Sequence, residues 1–353
     1  MRSGQQAARP AAPKPQRRHA AVAVPDGAPV TEVLPPDGVS YPQVLRGRSY
    51  APGRSIAGVV IGLSMYLLLV TLVSQIVILL GWALTAAAVP YVDYAREAAA
   101  YQRPVGMLGV NLGIATLIPI ACLLVLVLHR VRPRWLVSVQ PGIRWRYLLV
   151  SLVIALVSLN GVLLLSQVVT GTLPTLSARP GFWGFMVVVV VTSPIQAAAE
   201  ELFFRGYLMQ ALGSLVARPW FGVVVSSVLF ALLHGSQNLA LFVNRLVFGL
   251  LAAVLVWKTG GLEAGIAAHA VNNVFAYLFA GLTTGIATLK TVQSLTWGQS
   301  AVGVGSFALF AALAYLAFRF LRLRSTVDLG LHAPRADDGP GGPSGLGARP
   351  SLQ

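Results

Sequence analysis

The chain has 353 residues, 56% hydrophobic and only 10% charged, with a mean hydropathy of +0.72. Soluble domains carry about a quarter charged residues, so composition excludes a soluble globular protein and points to a polytopic membrane protein. The formal charge of +15 invites a nucleic-acid partner, but the 26 Lys and Arg lie mostly in tails and short loops beside apolar runs. That is the positive-inside pattern; no nucleic acid is expected, and anionic lipid at the basic flanks is.

Residues 1–54 are rich in Pro, Ala and Arg without an apolar period, and read as a disordered tail. The first apolar run begins only near Ile56, too late and too long for a signal peptide. Eight apolar spans follow, at about 56–80, 105–128, 147–170, 182–212, 219–234, 239–257, 262–283 and 301–323. A crossing helix needs roughly 20 residues; the fourth span exceeds that and the fifth falls short of it. Residues 326–353 are rich in Gly and Pro and read as a second disordered tail. The expected fold is all-α: a membrane bundle of about eight helices over residues 55–325.

Charge sets the expected orientation. The first 55 residues hold eight Lys and Arg, the loop after span 2 five, and the end of span 8 with its tail five more; Arg218 and Lys258 mark two loops on the same side. The other side has only Arg96, Arg103, Arg179 and Lys290. Twenty cations against four put both termini in the cytoplasm, in accord with an even number of spans. The lone Cys122, inside span 2, allows no internal disulfide and reads as a packing residue. Trp135, Trp145, Trp220 and Trp257 lie near span ends and read as interface anchors.

Span 4 carries the most unusual residues, Glu200, Glu201 and Arg205. A charge in hydrocarbon costs roughly 3 kcal/mol or more, and such residues mark functional sites by default. Glu201 precedes Arg205 by four, the favourable order for a helical ion pair. Glu200 points about 100° away and is free for another role. Pro194, six residues earlier, is a possible kink. Span 5 places Phe230 and His234 four apart, and span 7 does the same with His269 and Asn273. Each pair shares one helix face, so three helices can aim polar groups at one point. A carboxylate can serve as general base. Two histidines from different helices can bind a metal or orient a water. An asparagine amide can stabilise an oxyanion. Together they suggest hydrolysis of a carbonyl bond. Phe230 reads as packing, Glu263 as a helix-start residue, and Arg245 as a pairing or snorkelling cation. Membrane Glu, His and Arg also make proton relays, so a proton-coupled transporter is the competing class.

The series Glu200-Glu201-Leu-Phe-Phe-Arg205, then Phe230-xxx-His234, then His269-xxx-Asn273 resembles the CPBP family of intramembrane proteases. That group contains Rce1-like CAAX prenyl endopeptidases and bacteriocin-processing or immunity relatives. The likeness extends through FFRGYL and KTGGLEAGIAAHAVNN and covers about residues 180–280. It implies an intramembrane endopeptidase acting on a membrane-associated or lipidated peptide or protein. Glu200 would activate water, His234 would help bind that water or a metal, and His269 and Asn273 would complete the oxyanion site. Glu201 and Arg205 would form the supporting pair. The family name implies a metal, although the motifs lack the HExxH pattern; zinc, with His234, His269 and Glu200 as candidate ligands, is the expectation if one binds. The resemblance also admits a non-catalytic immunity or scaffold protein. It favours a cavity opening to the cytoplasm. One discrepancy stands: His269 lies about 10 Å from the cytoplasmic start of its span, whereas His234 lies near the far end of span 5.

Overall fold

The structure, a computed structural model, describes residues 33–85 and 88–331. The outer parts of both expected tails, with His19 and His332, lie outside the described residues. The rest is helical: α1 Pro52–Thr85, α2 Tyr91–Ala99, α3 Pro104–Ala115, α4 Leu117–His129, α5 Arg134–Val137, α6 Trp145–Thr170, α7 Phe182–Glu200, a π-helical segment Glu201–Leu208, α8 Met209–Leu215, α9 Trp220–Leu232, α10 Leu239–Thr259, α11 Glu263–Leu282, α12 Ile286–Lys290 and α13 Trp297–Phe320. No strand occurs among the described residues, only isolated bridges between Ser40 and Thr326 and between Ser138 and Gly261.

Among the described residues, seven helical stretches are long and apolar enough to cross a membrane: α1, α3–α4, α6, α7 through α8, α10, α11 and α13. The expected fifth span is the one that falls below that length. The fifth span is α9, with 13 residues and a length of about 20 Å, short of a hydrocarbon core of roughly 30 Å. Helix α9 nevertheless links the two loop faces of the bundle. Trp220, at the start of α9, packs edge-to-face on Trp257 near the end of α10, with ring centroids 4.9 Å apart. Past α9, the backbone N–H of Asn238 donates to the Gln293 carbonyl near the start of α13. The turn 233–238 covers the remaining distance. It breaks the helix because Gly235 takes a left-handed φ of +77°, which glycine adopts at no steric cost. His234 lies in this turn and not in a helix, and its ring meets that of His269 across Phe230.

The loops sort onto two faces. On the first, which carries both described chain ends, Val33 N–H donates to the Arg130 carbonyl, Val139 N–H to Gly260, and Gly38 N–H to Val327. Arg46 Nε–H donates to the Ser214 carbonyl at 2.9 Å. On the second, Ser177 and Arg179 N–H groups donate to the carbonyls of Leu282 and Gly281, and the Lys290 ammonium lies 4.8 Å from the Tyr101 ring centroid. Both described ends therefore share a face.

Parts of the expected tails are packed structure. Tyr41, Val44 and Leu45 are buried, and the Tyr41 hydroxyl donates to the Leu136 carbonyl. Burial holds that phenol well above its ordinary range, so it stays a donor. Val327 is buried beside them. The apolar residues here are too few to show a period, so only their tertiary partners reveal that they are core. Trp135 is also core, at 1% exposure, and is not an interface anchor; α5 tucks it beneath the loops of the first face. Trp145 and Trp220 are exposed.

Helices α1 and α6 expose Leu67, Leu68, Val157 and Val169, apolar surface suited to lipid. Helices α7, α10 and α11 are the more buried ones and carry most of the polar residues described next.

Candidate active site

Helix α7 continues through Pro194 to Glu200, and the chain then widens into the π-helical turn Glu201–Leu208. Such turns recur at functional sites. The segment holds Glu201 and Arg205, both fully buried; Glu200 is 7% exposed and His269, from α11, 4%. Arg205 Nη1–H donates to Glu201 Oε1 at 2.9 Å. His269 Nδ1–H donates to the same oxygen, also at 2.9 Å. The other ring nitrogen, Nε2, faces Glu200 Oε2 at 3.3 Å.

Each ring nitrogen of His269 thus faces a carboxylate oxygen, and the Arg205 guanidinium beside them offsets negative charge that burial disfavours.

The remaining guanidinium nitrogens, Nε and Nη2 of Arg205, have no hydrogen-bond partner. The guanidinium carbon instead lies 4.0 Å from the Phe230 ring centroid and 5.5 Å from that of Phe248. Cation–π contact of this kind is strengthened by desolvation. Phe230 thus does more than fill space: it covers the buried cation, and its ring also packs edge-on against His234 and His269.

His234 Nδ1 lies 2.7 Å from the Phe230 carbonyl. A carbonyl only accepts, so Nδ1 carries the proton and Nε2 is left with its lone pair. Arg245 braces the turn that carries this ring. Its Nη1 donates to Gln237 Oε1 at 2.8 Å and to the His234 carbonyl at 3.5 Å.

Asn273 Nδ2 donates to Gln196 Oε1 at 3.0 Å, and Asn272 Nδ2 donates to Asn273 Oδ1 at 3.2 Å. One amide hydrogen of Asn273 stays free. Gln196 and Glu200 line the same cavity. Sequence reading missed Gln196, although it precedes Glu200 by four on the same helix face. Glu200, His234, His269 and Asn273 line one cavity of about 680 Å³, with Arg245, Phe248 and Tyr66 among its walls. Glu201 and Arg205 lie behind the wall.

Glu263 differs from its expected role. Its carboxylate takes Arg144 Nε–H at 2.8 Å and Nη2–H at 2.6 Å, while Arg144 Nη1–H donates to the Thr259 carbonyl at 2.7 Å. It is half of a buried ion pair as well as a helix-start residue.

Zinc sites in enzymes take three protein ligands. Among the described residues no three His, Cys, Asp or Glu stand together as a metal-holding group. Both ring nitrogens of His269 are already directed at carboxylates. The donor set as arranged does not fit zinc, and no step of the mechanism passes through a metal.

Fold and site together define a multi-pass helical membrane protein with a buried carboxylate–histidine centre. Residues 180–275 match the family model "Type II CAAX prenyl endopeptidase Rce1-like". That stretch includes all three motifs and leaves α1–α6, α12 and α13 outside it. The chain is also similar to "Uncharacterized protein YyaK" of Bacillus subtilis (strain 168), with 38% identity over 104 residues. The likeness covers 28% of this chain and 35% of that protein. No solved structure matches.

Proposed function

We propose that this chain is an intramembrane endopeptidase in which Glu200 is the general base. The observation that carries the reading is the convergence of Glu200, His234, His269 and Asn273, from three separate helical regions, on one cavity. A water there donates one hydrogen bond to His234 Nε2 and its other proton to Glu200. Its oxygen bonds to the carbonyl carbon, and the C=O electron pair moves onto oxygen. The free amide hydrogen of Asn273 donates to that oxyanion. Collapse re-forms C=O and breaks C–N, and the proton on Glu200 passes to the leaving amine. His269 hands its hydrogen bond to whichever form Glu200 takes, and Glu201 with Arg205 holds the ring in place.

The substrate class is a membrane-associated peptide or protein. CAAX-type processing is supported by the family match alone. The charge distribution supports cytoplasmic termini and contact of the basic loops with anionic lipid. The test is cleavage of a membrane-anchored peptide library by purified protein in liposomes, with Glu200→Gln as the control. Cleavage by wild type and its loss, by at least about 100-fold, in a variant with an unchanged melting curve is expected. Full activity in Glu200→Gln would sink the mechanism. Elemental analysis of the same samples separates a zinc enzyme from a metal-free one. Absence of cleavage with pH-gradient-driven flux would favour a transporter. Protection of cells by a Glu200→Ala/His234→Ala variant would favour an immunity or scaffold protein.

A further inference from the structure

The cavity is asymmetric across the molecule. Towards the face that carries both described chain ends, the carboxylates are backed by solid core. Phe203, Phe204, Tyr207 and Leu208 of the π-helical segment are buried, and Tyr41, Trp135, Leu136 and Leu262 close the space beyond them. Glycine at 265 is part of this closure: a Cβ there would lie 2.8 Å from Glu201 Oε2. Towards the opposite face, the walls include Tyr101, Lys290 and Gln293, from loops of that face. Ser236, Asn272, Lys290 and Gln293 are all solvent-exposed lining residues.

The charge split bears on which compartment this is. The closed face carries the basic loops and the open face only Arg96, Arg103, Arg179 and Lys290. By the positive-inside rule the closed face is cytoplasmic.

We propose that substrate enters from the face opposite both described chain ends, the non-cytoplasmic side. The substrates are then polypeptides exposed on, or anchored to, the outer surface of the membrane, and not lipidated chains in the cytosol. That a substrate enters at all rests on the endopeptidase reading; the access route stands on geometry and charge. It runs against the cytoplasmic opening that the family resemblance favours. Physically, the short α9 creates it: the pass ends early, and the polar turn 233–238 leaves space on the far side that only water or substrate can fill.

Cysteine accessibility tests this without depending on catalysis. In a Cys122→Ala background, Ser236→Cys and Gln293→Cys report the cavity and its rim, and Arg48→Cys reports the closed face. A membrane-impermeant maleimide is applied to intact spheroplasts and to permeabilised ones. Labelling of Ser236→Cys and Gln293→Cys in intact spheroplasts, with Arg48→Cys labelled only after permeabilisation, is expected. The reverse pattern overturns the assignment of sides. Labelling of Gln293→Cys but not Ser236→Cys under either condition overturns the open cavity. Peptide cleavage measured separately on wild-type protein keeps the two readings apart. Outer labelling without cleavage refutes the enzyme and leaves the route; cleavage with inner labelling refutes only the route.

Discussion

Arg205 shows why a motif residue can matter without touching substrate. It is fully buried with one hydrogen bond, to Glu201, and an aromatic cover. Truncating one partner of a buried ion pair costs about 3–5 kcal/mol, because the other charge is left stranded. Arg205→Ala is therefore expected to lower the melting temperature in detergent sharply. Glu201→Gln/Arg205→Met, which removes both charges, should recover much of that loss while staying inactive. A double variant less stable than either single one would refute the pair. Arg245 acts differently, through the turn that holds His234. Arg245→Ala should lower kcat by about 10–100-fold, the scale of a small misplacement, with little change in melting. If its role is to position His234, adding it to His234→Ala should cost nothing more; an additive loss would mean that Arg245 contacts substrate itself.

At the scale of elements, α9 and α10 decide where the site lies. The turn between them must present His234 and still begin a membrane helix. Asn238 starts that helix. Its side chain accepts from Leu241 N–H at 3.0 Å and from Leu295 N–H at 3.2 Å, and donates to the Leu295 carbonyl at 2.8 Å. It caps α10 and ties it to the loop before α13. Losing an N-cap of this kind costs about 1 kcal/mol. Asn238→Ala should thus lower the melting temperature by a few degrees, and Asn238→Asp, which keeps the acceptor, by less. Equal losses would mean that the bonds to Leu295 matter more than the cap. The hairpin of α8 and α9 depends on close backbone approach. A Cβ on Gly222 would sit 2.4 Å from the Met209 carbonyl oxygen, so small residues here allow the packing that membrane helices use.

Over the whole molecule, the closed face is a knot of loops, and Arg144 is its centre. It binds Glu263, Thr259 and Arg324, at distances from 2.6 to 3.4 Å. It thereby joins the start of α6, the end of α10, the start of α11 and the segment after α13. The pair is nearly buried, at 8% and 1% side-chain exposure. Arg144→Ala should cost about 3–5 kcal/mol by stranding Glu263, read as loss of the folded peak on size exclusion or a large drop in melting temperature. Arg144→Lys, which cannot reproduce the fork, should fall between. Retention of wild-type melting in Arg144→Ala would show that the face is held by its apolar core alone.

Much of this was legible in the sequence. Hydropathy gave the apolar spans, because hydrocarbon demands long apolar helices whatever the tertiary structure. Spacing of four gave the pairing of Glu201 with Arg205, because an ion pair within one helix is local. The three motifs signalled a site because polar groups are costly in lipid. What the sequence could not give was set by contacts between distant segments. Burial of Tyr41 and Trp135 needs partners distant in sequence, Leu136 for the one and Gln210 for the other. Gln196, Arg245 and the Arg144–Glu263 pair have meaning only once their partners arrive. The short α9 turned an expected eighth helix into a helix and a turn, and so set the depth of His234. The sequence by itself determined that this is a helical membrane protein with a polar centre, since solvation by lipid acts on each segment alone. The tertiary structure alone decided how two carboxylates and a histidine come together, and towards which face their cavity opens, since both depend on how the helices pack against one another.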